Sequence, residues 1–300
     1  MLKKLMKYEW KGTFKICLIL LAVVAGATLV GALGWSVMIR YLSRGSAEYH
    51  NGNEMASVAV TMMGMGTFFA YILTMAGVTY LLIGYLGVHF YKTMYTDEGY
   101  LTHTLPATPK QILFSKVFVA GCWNLIILGA MGISVVVLVI TIFGSFSSSY
   151  NGLYNPWAEM SRDFTQMWRE LNDTGLKVEI VHTIVSTILA YIVSPFSGVI
   201  MLFGSLTIGQ LASKHKLLVG ILTYVGVLFA NSILGQIFRF VFTLPYLVRV
   251  STSSSSNVAA RSVAGNMSST LDASLALAVV TGAIMYFVMI QILSKKLNLD

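Results

Sequence analysis

The chain has 300 residues, 56% of them hydrophobic and only 11% charged, with a mean hydropathy of +0.74 and a formal net charge of +8. Soluble domains carry about 25% charged residues, so the pair of soluble domains that length alone would allow is excluded. A transmembrane β-barrel is excluded too, because its strands alternate apolar and polar residues and the runs here are apolar throughout. The pI of about 9.4 does not call for nucleic acid, whose recognition needs a basic patch on a soluble domain.

The first fifteen residues are patterned. Lys4, Lys7, Lys11 and Lys15 fall on one helical stripe, and Leu2, Leu5, Met6, Trp10 and Phe14 fall on the other side. This predicts an amphipathic helix over 1–15 lying in the membrane interface, lysines toward anionic head groups. Lysines, an apolar run and "AGA" also resemble a signal peptide. The five spans that follow, and the pattern of the first fifteen residues, argue against cleavage. Apolar runs of 18 or more residues read as membrane spans. Six are found, at 16–38, 57–90, 111–143, 180–211, 217–241 and 273–293. The second, third and fourth exceed 30 residues, too long for the bilayer core at 1.5 Å per residue, so they project beyond it or bend. Pro195 predicts a kink in the fourth. Gly64, Gly66, Gly84 and Gly87 suit close helix packing.

The connection at 94–110, "MYTDEGYLTHTLPATPK", is more elaborate than a link between two spans requires. Thr96 can cap a short helix whose first turn, Asp97-Glu98-Gly99, complements the helix dipole. Tyr100, Leu101 and Leu105 give that helix an apolar side, and Pro106 stops it. Thr108 as cap, Pro109 at the first position and Gln111 at the third then start the next span. Helix, break, helix suits a knob offered to a soluble partner. It also suits a well-capped loop whose charges only meet water.

Two outer loops are expected, at 144–179 and 242–272. The first contains "NPWAEMSRDFTQMWRELNDTG", an amphipathic helix with an apolar stripe through Trp157, Met160, Phe164, Met167, Trp168 and Leu171. Its tryptophans suit the outer membrane interface. It is either a lid on the span ends or a gate for substrate. The second is Ser-rich and reads as a mobile loop.

Twelve lysines and four acids fall on the side that holds both termini, and eight cations and eight acids on the other. The positive-inside rule therefore puts both termini and residues 94–110 in the cytoplasm, in a multi-pass protein of the cell membrane. Inside the spans polar groups are few. Ser232, Gln236 and Arg239 share a face of the fifth, while Asn124, Asn231 and Gln291 suit interhelical hydrogen bonds. Asn124, Asn231, Ser232, Gln236 and Arg239 are thus candidates for a substrate path or for helix packing. No intramembrane acid or lysine suggests a coupling-ion site. Cys17 and Cys122 lie inside spans and suggest neither a disulfide nor a metal site. The sequence has no HExxH, GxSxG or GxxxxGK[ST] pattern, so no catalytic, cofactor or metal residues are assigned and the chain reads as a non-enzyme.

The segment "YTDEGYLTHTLPATPKQILFSK" closely resembles the first cytoplasmic loop of ABC-2-type ABC transporter permeases from Gram-positive bacteria. There a coupling helix docks in a groove of the ATPase subunit. The basic amphipathic "elbow" at the N-terminus, the six spans, the cytoplasmic ends and "GQLASKHK" closing the fourth span are similar too. One feature departs from the family: its permeases often place outer helices between spans five and six, whereas here the outer helix falls between spans three and four. The resemblance implies an all-α permease forming a single transmembrane domain over 1–300. It implies a dimer with itself or a paralogue, partnered by a separate ATPase that would hold ATP and magnesium. Asp97, Glu98, Gly99, Tyr100, Leu101 and Leu105 would be the contact to that ATPase. Export of an amphipathic compound, such as a peptide antibiotic, drug or lipid-like molecule, is the implied activity. Two other classes stay open: a sensor or scaffold that recruits an ATPase for antimicrobial-peptide sensing, and an ion-coupled transporter or channel.

Overall fold

In a computed structural model, residues 2–45, 54–96, 99, 108–149, 156–173, 176–252 and 256–295 are described. Among them are seven helices: α1 (Leu2–Gly45), α2 (Glu54–Tyr95), α3 (Pro109–Ser149), α4 (Pro156–Asp173), α5 (Lys177–Gly209), α6 (Lys216–Thr252) and α7 (Ser256–Lys295). All but α4 are long and apolar enough to cross a membrane, the architecture of a multi-pass membrane protein. Apolar side chains such as Leu73, Ile133, Phe229 and Phe287 stand exposed on these helices, as expected where the solvent is lipid rather than water.

The helices outrun the expected spans. Residues 2–15 are not a separate element, because α1 continues through Lys15 into the first apolar run without interruption. No proline falls there to break it, and Gly12 alone does not. The Ser-rich stretch expected to be a loop is helical on both sides of residues 253–255, since α6 continues past Pro245 to Thr252 and α7 begins at Ser256. A fall in hydropathy marks the end of the apolar run, not the end of the helix.

The chain folds as two compact units, and α1, α2, α3 and α4 contribute to both. One comprises Met1–Gly12, Ile83–Leu125 and Glu170–Asp300. In it α5 packs on α6 and α7, and α6 on α7. The last turns of α5 are buried almost all round, from Val199 to Gly209, and small residues let the neighbours approach. A Cβ on Gly204 would lie 3.0 Å from the Met285 side chain, and one on Gly209 would lie 2.5 Å from the Gly220 backbone. The hydroxyls of Ser205 and Thr207 bond back to the carbonyls of Met201 and Phe203, so they are satisfied inside an apolar environment. Between helices, Ser197 donates to the Ala278 carbonyl at 2.8 Å and Asn124 to the Pro195 carbonyl at 3.2 Å.

The second unit comprises Thr13–Leu82 and Ile126–Arg169. Its core includes Leu20, Val24, Val78, Leu82, Ile127 and Leu138. Three helices are tied there by hydroxyls. Thr28 spends its proton on the Val24 carbonyl at 2.7 Å, so Ser134 donates to Thr28 at 2.6 Å and Tyr71 donates to Ser134 at 2.8 Å. Of the glycines expected to admit a neighbour, Gly64 does so against Met38 and Gly87 against Leu202, whereas Gly66 and Gly84 face open space.

Candidate functional site

Both roots of the connection between α2 and α3 lie in the first unit. Phe90 and Met94, one turn apart at the end of α2, are each 1% exposed. The Phe90 ring stacks on Phe203 of α5 at 4.0 Å between centroids. The Thr207 hydroxyl already donates to Phe203, so the Tyr95 hydroxyl donates to Thr207, at 2.8 Å. The end of α2 is thereby fixed to the end of α5 by a stack and a half-buried hydrogen bond.

Beyond it, the Thr96 hydroxyl does not cap a new helix as expected. It bonds back to the Lys92 carbonyl at 2.6 Å, while the Thr96 carbonyl accepts from the Gly99 N–H at 2.7 Å. A Cβ on Gly99 would stand 2.5 Å from the Met94 carbonyl oxygen. The glycine is thus required by its own chain, whatever a partner needs. Asp97, Glu98, Tyr100, Leu101 and Leu105 lie outside the described residues. At the far root the expected capping box is present: Gln111 N–H faces the Thr108 hydroxyl, and Thr108 N–H the Gln111 side-chain oxygen, each at 3.4 Å.

Sequence reasoning missed the polar centre beside these roots. Lys116, counted as a flanking cation, has a side chain only 2% exposed. Its ammonium is paired with Glu9 of α1 and donates to the Thr93 hydroxyl of α2 at 2.7 Å. The other Glu9 oxygen meets His89 Nε2 at 3.2 Å. Trp10 stacks on Trp123 of α3 at 4.6 Å, and the Tyr85 hydroxyl donates to the Gly12 carbonyl at 3.3 Å. The N-terminal turns of α1 are therefore fastened to α2 and α3 by ions and rings. Lys3, Lys4, Lys7, Lys11 and Lys15 all stay exposed. The available signal was Glu9, the one acid in the basic segment, which falls on the apolar side, one residue from Trp10.

The other candidates do not converge. Asn124 faces α5 at Pro195. Asn231 donates to the Met201 sulfur at 3.6 Å, and its side-chain oxygen is buried with no partner among the described residues. Ser232, Gln236 and Arg239 are exposed on α6. Trp157 meets Phe143 at 5.9 Å and Phe164 stacks on Trp168 at 6.3 Å, but Met160 and Phe164 remain exposed, so the apolar stripe of α4 is largely uncovered. Among the described residues no cluster of three or more His, Cys, Asp or Glu could hold a metal. Comparison with protein-family models, with curated proteins and with solved structures finds no match to this chain.

Proposed function

We propose that the chain is the permease subunit of an ATP-driven ABC transporter of the ABC-2 type. It acts with a second copy or a paralogue and with ATPase subunits on separate chains. The observation that carries this reading is the setting of the 94–110 connection. It joins helices of 42 and 41 residues, about 63 and 62 Å long at 1.5 Å per residue and so about twice the ~30 Å of the bilayer core. Its roots are held on α5 through Tyr95 and on α1 through Lys116. A push at the connection is then passed into four helices instead of being absorbed by a slack loop.

In this reading the connection is cytoplasmic. Asp97 and Glu98 accept charge-assisted hydrogen bonds from the ATPase, and Tyr100 and Leu101 are the buried anchors. ATP-driven closure of the ATPase pair moves the connection, and an amphipathic cargo is exported. Exposed Ser232, Gln236 and Arg239 on the otherwise apolar α6 support a second copy, since polar groups turned to lipid are costly.

The test is co-purification with an ABC ATPase co-expressed with this chain, followed by ATP hydrolysis and cargo transport in lipid nanodiscs and vesicles. The triple variant Asp97→Ala/Glu98→Ala/Tyr100→Ala should lose the ATPase or uncouple hydrolysis from transport. Loss of one buried anchor costs about 2 kcal/mol, roughly thirtyfold in affinity. Full binding with full transport in the triple variant overturns the proposal. Binding by the wild type without transport of any cargo moves the chain to the sensor class.

A further inference from the structure

The start of α3 and the last turns of α7 flank an open cavity of about 280 Å³, lined by Thr108, Pro109, Lys110, Ile290, Leu293 and Ser294. Leu293 is buried and Ile290 half-buried, while Thr108, Lys110 and Ser294 are exposed. The cavity therefore has an apolar floor and a mouth bearing one ammonium and two hydroxyls. Among the described residues no carboxylate pairs with Lys110.

Its position is informative. The apolar run of α3 begins at Gln111 and that of α7 ends at Leu293, and by that pattern the cavity falls near the level of lipid head groups. A small, wholly polar ligand would leave the apolar floor unused. A neutral amphiphile would use the apolar floor but not the charge at the mouth. We infer that the cavity is a site for an anionic phospholipid. Its phosphate meets Lys110 and the hydroxyls of Thr108 and Ser294, and the upper part of one acyl chain lies on Pro109, Ile290 and Leu293. This rests on the six-helix membrane architecture and not on the transport reading. Such a lipid would bridge α3 to α7 beside the capping box of α3.

The purified chain, in nanodiscs of phosphatidylcholine with graded phosphatidylglycerol, is examined by native mass spectrometry for retained lipid. The wild type should keep one phosphatidylglycerol in preference to phosphatidylcholine. Lys110→Gln should weaken that preference roughly fivefold, the factor expected for one lysine at a membrane surface. Ser294→Trp, on an exposed position, should fill the mouth and abolish retention with the ammonium still present. Lys7→Gln removes an exposed lysine elsewhere and should leave retention unchanged. Thermal unfolding of each variant checks that it is folded. The inference is overturned if the wild type shows no preference, if Lys7→Gln matches Lys110→Gln, or if Ser294→Trp retains the lipid, which would mean diffuse surface charge and no built cavity. Displacement of the lipid by inorganic phosphate would equally overturn it, because the head group alone would then account for the site.

Discussion

Glu9 and Lys116 are unequal partners, and the inequality can be measured. The Lys116 side chain is 2% exposed and that of Glu9 18%. Glu9→Ala strands an ammonium in near-complete burial, facing the Thr93 hydroxyl. Breaking a buried pair from one side costs about 3–5 kcal/mol, and Glu9→Ala should fall in that range. Lys116→Met is milder. It places an unbranched apolar chain in the same space, while the carboxylate left behind is partly wetted and still has His89 at 3.2 Å. A loss of about 1–2 kcal/mol is expected, near that of an imperfect polar pairing. The double variant Glu9→Ala/Lys116→Met removes both charges and should recover most of the stability, since an apolar replacement of a buried pair is often neutral. Thermal unfolding of the four proteins in one detergent closes a double-mutant cycle. Equal losses for the two single variants, or a double variant no better than Glu9→Ala, would show that Lys116 is solvated and that the pair does not hold α1 to α3.

Ser134→Ala removes the acceptor for Tyr71 and the donor to Thr28; at about 0.6 kcal/mol per interhelical hydrogen bond in a bilayer, a loss of roughly 1 kcal/mol is expected in detergent unfolding, and Tyr71→Phe should cost about half of it. Gly209→Ala puts a Cβ 2.5 Å from the Gly220 backbone and should destabilise by about 1–3 kcal/mol, whereas Gly226→Ala, with nothing within 4 Å, should be neutral or stabilise by up to about 1 kcal/mol. In intact cells an impermeant thiol reagent should label a cysteine placed at Glu159 but not one at His103; the reverse pattern would invert the orientation drawn from the lysines.

The six long helices were legible because an apolar run of this length has few other uses in a folded chain. Their ends were not. The fifth span is expected to stop at Val241, yet α6 continues through the largely apolar FTLPYLVRV and past Pro245 to Thr252. The capping box at Thr108 was legible, since it depends only on side chains three positions apart. The role of Thr96 was not. Its hydroxyl had two backbone targets, the turn ahead and the Lys92 carbonyl behind, and the continuing helix won. Gly99 falls in the segment expected to meet a partner, but the atom that limits it is the Met94 carbonyl oxygen, which no local pattern in the sequence announces. The Glu9–Lys116 pair spans 107 positions, so it follows from the packing of α1 on α3 and not from any motif.

That pair also bears on the orientation expected from the lysines. Lys116 was counted among the twelve cations of one side and Glu9 among its four acids. A lysine 2% exposed and bonded to a carboxylate does not act as a free flanking charge. Removing both leaves eleven lysines against three acids, and the excess of eight is unchanged. The asymmetry therefore rests on the exposed lysines of residues 3–15 and on those near the other helix ends. Lys116 instead performs a packing task. Its side chain is buried, and its head joins α1, α2 and α3 at one point. A cation buried this close to a helix start does not weaken the orientation, because its counter-ion is counted on the same side.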